Sequence, residues 1–186
     1  MTTTSTRELY DRYVIPTYGR FDLKLSRGEG TRVWDENGKG YLDFGAGIAV
    51  TSIGHCHPRV VATMQQQIGT LVHTSNLYYT RPQAELAERL VRLVGAPGKV
   101  FFCNSGAEAN EALYKLARKF GNDGLPPEGT HTVGELVEPC RYRHTIITML
   151  NSFHGRTLAG ISATGQEKVK RGFEPLVQGF SHTAFN

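Results

Sequence analysis

The chain has 186 residues, of which 39% are hydrophobic and 20% charged, and its formal net charge is +4. No apolar segment approaches the roughly 20 residues that a membrane helix needs, and the polar N-terminus lacks the apolar core of a secretory signal, so we expect a cytoplasmic protein. Basic and acidic residues are interspersed along the chain, which disfavours nucleic acid as a partner and favours anionic small molecules.

The first elements are predicted from a helix-start signal and a hairpin signal. Ser5 and Glu8 form a Ser-x-x-Glu pattern, which predicts a short N-terminal helical arm. Asn37 and Gly38 form the strongest short hairpin signal, and they lie between the strand-like segments 31–35 and 41–44. A small antiparallel sheet is therefore expected after the arm.

Two amphipathic helices are predicted next. Apolar residues recur at helical spacing from Pro58 to about Leu71 and again from Pro82 to Val94. The cluster His55-Cys56-His57 contains possible metal ligands, but no second cluster completes a four-ligand set, so we expect no metal and interpret it as a turn into the helix that Pro58 starts. The three cysteines are odd in number and far apart, which indicates a reducing compartment.

A strand, a glycine turn, a helix and a second strand are predicted between residues 99 and 150. Lys99–Cys103 is interpreted as a short buried strand, the helix after Gly106 carries one apolar face, and residues 145–150 form the second strand. Such a βαβ unit belongs to a parallel sheet with its ligand at the carboxyl ends of the strands, so we expect an α/β fold. Residues 121–140 between them are predicted to be a loop insertion, more plausibly solvent-exposed than partner-binding.

The turn Ser105-Gly106-Ala107 is a candidate anion site. The first N–H groups of a helix have no internal partner and carry the positive end of the helix dipole, which suits a phosphate, and Gly106 allows close approach. An ordinary helix cap explains the same three residues equally well. About 45 residues later, Asn151–Thr157 supplies an aromatic ring and a guanidinium fork. Together, the two segments predict a site for a phosphorylated planar cofactor and a carboxylate-bearing substrate.

Five ordered sequence blocks resemble the class III pyridoxal-phosphate (PLP) aminotransferases, and the match runs from about Arg20 onward. The blocks are Asp43–Val50, Gly54–Pro58, Ser75–Tyr79, Asn104–Ala112 and Ser152–Thr157. The resemblance implies a fold type I PLP-transferase. It places the N-terminal arm and small-domain strands in residues 1–57 and the first part of the large, mostly parallel-sheet domain in residues 58–186. The insertion near 121–140 is longer than the connection usual in the family.

The resemblance also implies roles for particular residues. It places the PLP phosphate on Gly106 and Ala107, with Ser105 as part of the same anchor. It places Phe153 over one face of the cofactor ring and Arg156 on the α-carboxylate of the amino acid, where a planar fork can donate two parallel hydrogen bonds. Without the resemblance, Phe153 would be interpreted as a core residue and Arg156 as a solvated charge.

Further implications concern the substrate. Tyr79 resembles a residue that lines the entrance to the site, either that of its own subunit or that of a neighbouring subunit in a homodimer. Family members that act on free ornithine tend to carry a tyrosine where this chain has Ile48, and an apolar side chain fits an acylated α-nitrogen better. The resemblance therefore implies acetylornithine as amino donor and 2-oxoglutarate as acceptor, as in arginine biosynthesis. Succinylornithine, ornithine and 4-aminobutyrate stay open as alternatives.

Two family residues have no counterpart in this sequence. These are the aspartate that contacts the pyridinium nitrogen and the Schiff-base lysine, which the resemblance places beyond the end of the chain. Lys168 and Lys170 lie in the wrong part of the pattern. We therefore expect no catalytic residue within the chain and no activity from this chain alone. An alternative interpretation is an inactive module that binds a cofactor weakly or associates with a partner.

Overall fold

The computed structural model describes residues 4–123 and 143–186. The chain divides into two compact units, Met1–Thr80 and Arg81–Asn186. The domain boundary expected after residue 57 stays a prediction. Most of the predicted insertion at 121–140 lies outside the described residues.

The first unit begins with the predicted helical arm, α1 (Thr6–Tyr13). Ser5 caps it because its hydroxyl accepts from the Glu8 N–H, while the Glu8 carboxylate accepts from the Ser5 N–H over 2.8 Å. Two backbone N–H groups at the helix start are thereby satisfied, which confirms the predicted capping box.

The three-stranded antiparallel sheet of the first unit has the order β1-β2-β3. Its strands are β1 (Leu25–Glu29), β2 (Arg32–Asp35) and β3 (Gly40–Leu42). The predicted hairpin is confirmed, and the Asp35 carboxylate holds its turn by accepting from the N–H groups of Asn37 and Lys39 at 2.9 Å each. β1 was not predicted, since its residues Leu-Ser-Arg-Gly-Glu show little alternation of polar and apolar side chains.

A short left-handed turn, α2 (Ala46–Ala49), follows the sheet. The φ angles of its four residues are 42°, 61°, 64° and 63°, although only Gly47 is a glycine. A left-handed helical residue with a Cβ costs roughly 1–2 kcal/mol, so the turn must be held from outside.

Asp43 and His55 form the clamp that holds this turn. Asp43 Oδ1 accepts from the N–H groups of Gly45 and Ala46 at 3.0 and 2.9 Å. Asp43 Oδ2 accepts from His55 Nε2 over 2.7 Å. The backbone of His55 is in turn paired with that of Gly30 through two hydrogen bonds of 2.9 and 2.8 Å. The clamp therefore anchors α2 to the end of the β1–β2 hairpin.

The two predicted amphipathic helices are confirmed as α3 (Pro58–Ile68) and α4 (Arg81–Val94), the first in unit one and the second in unit two. Pro58 stands at the first helical position, where its missing N–H costs nothing. The apolar side chains of α3 stay largely exposed in the described structure, as Met64 and Ile68 show. Within the described residues, no helix combines the length and hydropathy that crossing a membrane requires.

The second unit packs helices against a two-stranded parallel sheet. Its elements after α4 are α5 (Gly106–Gly121), β4 (Ile146–Met149), α6 (Leu158–Ala163), the 3-10 helix Glu167–Val169 and β5 (Phe180–Thr183). β4 pairs in parallel with β5, and the right-handed connection rule makes α6 the natural crossover. The predicted strand at 145–150 is thus confirmed, and β5 was not predicted.

The predicted strand at Lys99–Cys103 is wrong. This segment has no strand structure, and no described strand pairs with it. An extended segment becomes a strand only when a neighbour accepts and donates its ladder hydrogen bonds. The predicted βαβ unit is therefore replaced by the β4-α6-β5 crossover, while the helix that starts at Gly106 stands as predicted.

A small core joins these elements. Tyr114 of α5 is buried and meets Phe180 of β5 edge to face, with 5.2 Å between the ring centroids. Ile161 and Ala163 of α6 are also buried, and the Thr148 hydroxyl of β4 donates to the Ala163 carbonyl over 2.7 Å. The start of α5, the end of β4 and the start of α6 consequently come together.

Replacing Ala49 by Gly tests the strain in α2. Ala49 is exposed, so the change removes the left-handed penalty without loss of packing. Glycine also loses more backbone entropy on folding, which offsets part of this gain. We therefore expect the free energy of unfolding of the full-length protein, measured by urea unfolding, to rise by about 0.5–1 kcal/mol. Ala62→Gly within α3 is the matched control and should lower it by about 1 kcal/mol. Equal destabilisation by both changes would contradict a strained turn.

Acid unfolding tests the clamp. The hydrogen bond from His55, followed by that from the Ala46 N–H, holds the pKa of Asp43 below its ordinary value of 3.8. A depressed pKa stabilises the fold fully above pH 3.8, and that stabilisation is lost as the pH falls through the lowered value. We therefore expect Asp43→Asn to flatten the acid limb of the stability curve below pH 3.8, followed by circular dichroism. Asp11→Asn, which removes only a 3.9 Å surface contact with Arg7, is the control. Identical acid limbs in Asp43→Asn and the unmodified protein would refute the clamp.

Candidate functional site

The start of α5 provides a set of unpaired backbone donors. Ser105 is the N-cap, and its hydroxyl accepts from the Glu108 N–H over 3.2 Å. The N–H groups of Gly106 and Ala107 make no hydrogen bond within residues 4–123 and 143–186. These two donors lie at the positive end of a 16-residue helix, where an anion is favoured.

Glu108 is the acidic residue nearest to these donors. Its carboxylate accepts from the backbone N–H of Asn104 over 2.5 Å and faces the Asn104 amide at 3.4 Å. The Glu108 charge is therefore engaged on the residue that precedes the cap. The N–H groups of Gly106 and Ala107 stay available for an external anion.

The space in front of Gly106 is open. A Cβ atom added there would meet no atom within 4 Å, and the φ angle of Gly106 is not in the left-handed region. Nothing in the described structure thus requires a glycine at this position. A ligand that lies directly against the backbone would explain the glycine, because a Cβ atom would block its approach.

The second part of the site is the segment Phe153–Thr157, which follows β4. Its Phe153 ring is 57% exposed, and the Arg156 guanidinium lies over that ring, with 5.5 Å from Cζ to the centroid. Among the described residues, Arg156 has no ion-pair or hydrogen-bond partner. An exposed aromatic face and an unpaired planar cation therefore stand side by side.

Contacts with α5 fix this segment beside the unpaired donors. The Asn110 side-chain amide donates to the His154 carbonyl over 2.8 Å, and the Thr157 hydroxyl donates to the Glu111 carboxylate. Gly155 is buried with a φ of 117°, and a Cβ added there would lie 3.4 Å from the Ala107 Cβ. The aromatic–cation pair is thus attached to the first turns of the helix that carries the anion donors.

The sequence reasoning missed the supporting residues Asn110, Glu111 and Thr157. The available signal was that Asn110 and Glu111 are polar residues next to the apolar face of α5. Thr157 also caps α6, since its hydroxyl accepts from the Gly160 N–H over 2.9 Å. A Thr before an apolar run is a helix-start signal that could have been recognised.

The structure brings together five of the six predicted site residues within the unit Arg81–Asn186. The sixth, Tyr79, belongs to the unit Met1–Thr80 and is fully exposed.

The two lysines that the sequence pattern excludes as the Schiff-base lysine differ in their environments. Lys168 is exposed, and Lys170 is buried with its ammonium 2.8 Å from the Glu167 carboxylate.

The arrangement defines what could bind. Backbone donors at a helix start suit a phosphate, an aromatic face suits a planar ring, and a free guanidinium suits a carboxylate. In the described ranges, no three His, Cys, Asp or Glu side chains are grouped so that they could hold a metal ion. The site could therefore bind a ligand set that contains one anion, one planar ring and a second anion.

Comparison with known proteins identifies a family and several relatives that this chain resembles. Residues 13–186 match the family model for class-III aminotransferases. The chain is 51% identical over 179 residues to the acetylornithine aminotransferase of Thermosynechococcus vestitus, which covers 96% of this chain and 40% of that protein. The chain thus spans about two fifths of the length of the curated relatives that it matches.

Solved structures show the same fold. The ornithine aminotransferase of Toxoplasma gondii superposes with a TM-score of 0.82 at 28% identity, covering 99% of this chain and 41% of that chain. An omega transaminase from Pseudomonas jessenii in complex with PMP superposes with a TM-score of 0.81 at 31% identity, covering 98% and 39%. These matches confirm the predicted α/β class as part of a fold type I PLP-transferase. The chain belongs to the class III aminotransferases.

Proposed function

We propose that this chain supplies the phosphate anchor and the substrate-carboxylate site of a PLP-dependent acetylornithine aminotransferase. One observation carries the proposal. The unpaired N–H groups at the start of α5 and the Phe153–Arg156 pair are held next to each other by the contacts of Asn110 and Glu111.

The residues present fit PLP. Ser105, Gly106 and Ala107 would hold its phosphate through the helix start, because two donors there are unpaired and the space before them is open. Phe153 would cover one face of its ring, since that side chain is exposed rather than part of the core. When bound, PLP supplies an electron sink that makes the bond to the amino-bearing carbon of a substrate labile.

Arg156 would hold the substrate carboxylate. Its planar fork donates two parallel hydrogen bonds, and no described side chain competes for them. Its contact with Phe153 limits the directions in which the fork points, so the carboxylate is bound at a fixed place relative to the ring.

Two arguments favour acetylornithine as the amino donor, and the resemblance to the family supplies 2-oxoglutarate as the proposed acceptor. The relative from Thermosynechococcus vestitus carries that name at 51% identity. The second argument is the residue type at position 48, since an isoleucine suits an acylated α-nitrogen and has no hydroxyl to offer a free amine. Ornithine is the second candidate, because the Toxoplasma gondii ornithine aminotransferase shares the fold.

The cofactor chemistry requires a lysine and an aspartate that this sequence does not match. We therefore propose that the chain does not catalyse alone and that a homodimeric, cytoplasmic enzyme contains it. Tyr79 would line the entrance of such a site. Intact mass of the protein from its source cells tests this part. A mass near 20.6 kDa together with transaminase activity of the purified chain would refute it.

A half-reaction tests the function. Acetylornithine alone, added to the full-length protein loaded with PLP, should change the absorption spectrum of the bound cofactor. Subsequent addition of 2-oxoglutarate should restore the original spectrum. Ornithine, succinylornithine and 4-aminobutyrate are compared at equal concentration. Absence of any spectral change with acetylornithine would refute the proposal, and a faster change with ornithine would favour the second candidate.

Replacing Gly106 by Ala distinguishes an effect on folding stability from an effect on PLP binding. The open space around Gly106 means that a methyl group fits, so we expect unfolding stability to be unchanged or to rise by about 0.5 kcal/mol. The same methyl group would crowd the phosphate, so the Kd for PLP should rise at least tenfold. Fluorescence titration with PLP measures this, and Gly98→Ala, also in open space, is the control. An unchanged Kd would show that no phosphate lies at this turn.

Replacing Arg156 by Ala tests the carboxylate site. Loss of a charge-assisted fork of about 3 kcal/mol should lower kcat/KM for acetylornithine about 100-fold. Arg156→Lys should recover only part of this, because a single ammonium cannot form the two parallel bonds. Arg171→Ala, an exposed arginine outside the site, should have no effect. Equal kcat/KM in Arg156→Ala and the unmodified enzyme would exclude this role.

A further inference from the structure

The backbone of His154 is held at its N–H and at its C=O by side chains from two different helices. On one side, the Asn110 amide of α5 donates to the His154 carbonyl over 2.8 Å. On the other side, the His154 N–H donates to the Thr164 hydroxyl oxygen over 2.9 Å, at the end of α6. His154 directly follows Phe153 and stands two residues before Arg156.

The Thr164 hydroxyl has a defined direction. Thr164 is fully buried, and its hydroxyl donates its single hydrogen to the Gly160 carbonyl over 2.8 Å. The oxygen can then only accept on its other side, which is where the His154 N–H lies. The partly buried His154 N–H would be left without a protein partner if it lost this acceptor.

The Asn110 contact has the opposite polarity. The His154 carbonyl needs a donor, and the amide nitrogen of Asn110 is one. An aspartate at this position has nearly the same shape but presents only acceptor oxygens to that carbonyl when ionised. The position therefore distinguishes an amide from a carboxylate by hydrogen-bond polarity rather than by size.

We infer that Asn110 and Thr164 are positioning residues for substrate and cofactor binding, acting by fixing the two peptide groups that flank His154, between Phe153 and Arg156. The inference rests on the proposed function, in which Phe153 and Arg156 contact the cofactor ring and the substrate carboxylate. With the N–H and the C=O of His154 both fixed, the ring and the guanidinium keep a constant separation from the start of α5. Misplacement by about 1 Å in such a constellation can cost roughly 100-fold in rate.

Four variants of the full-length holoenzyme test the inference. Asn110→Asp replaces the donor by an acceptor, and Thr164→Val removes the acceptor at nearly constant shape. Thr164→Ser keeps the hydroxyl and is the conservative rescue. Ser162→Ala is the control, because Ser162 is equally buried on α6 and its hydroxyl accepts from the Val177 N–H, away from the site.

The readout is KM for acetylornithine together with the circular dichroism of the bound cofactor. We expect Asn110→Asp and Thr164→Val each to raise KM about 10- to 100-fold and to change the cofactor signal, and Thr164→Ser to stay near the unmodified values. Ser162→Ala should lower thermal stability without a change in KM. If Asn110→Asp and Thr164→Val lower only stability or active fraction and leave KM and the cofactor signal unchanged, the inference is wrong. If the unmodified holoenzyme does not react with acetylornithine, the proposed function fails instead.

Discussion

The hydrogen bond from Asn110 to the His154 carbonyl joins the two halves of the candidate site. It spans 44 residues of sequence and connects the helix with the unpaired N–H groups to the segment with the aromatic ring and the guanidinium. The Thr157–Glu111 contact repeats the connection one residue further along α5. Because Gly155 lies against Ala107 between them, the segment has little freedom to move away from the helix start. The geometry of the site thus depends on the first two turns of α5.

The site combines a partial positive charge with a full one. The partial charge belongs to the backbone N–H groups at the start of α5, and the full charge belongs to the Arg156 guanidinium. Glu108, the nearest carboxylate to the donors, is engaged with Asn104. Both parts of the site therefore favour anionic groups, and no described carboxylate neutralises either of them.

Local signals and short patterns in the sequence predicted much of the structure. The capping box at Ser5, the hairpin at Asn37-Gly38 and the helices starting at Pro58 and Gly106 all depend on neighbouring residues, and all are present. The strand expected at Lys99–Cys103 failed because strand structure depends on a pairing partner that sequence distance does not reveal. The contacts of Asn110 and Thr164 were missed for the same reason, since each joins residues 10 or more positions apart.

The left-handed turn α2 has a consequence for the local opening of the first unit. A turn that is strained when formed releases that strain when it opens, so local opening of Ala46–Ala49 costs less free energy than opening of an unstrained turn with equal hydrogen bonds. Ile48 lies within this turn, and its side chain is already 95% exposed. Opening the turn therefore removes little apolar surface from a packed environment, so hydrophobic burial does little to oppose it. Fluctuations confined to Ala46–Ala49 can then occur without unfolding of the antiparallel sheet that precedes them.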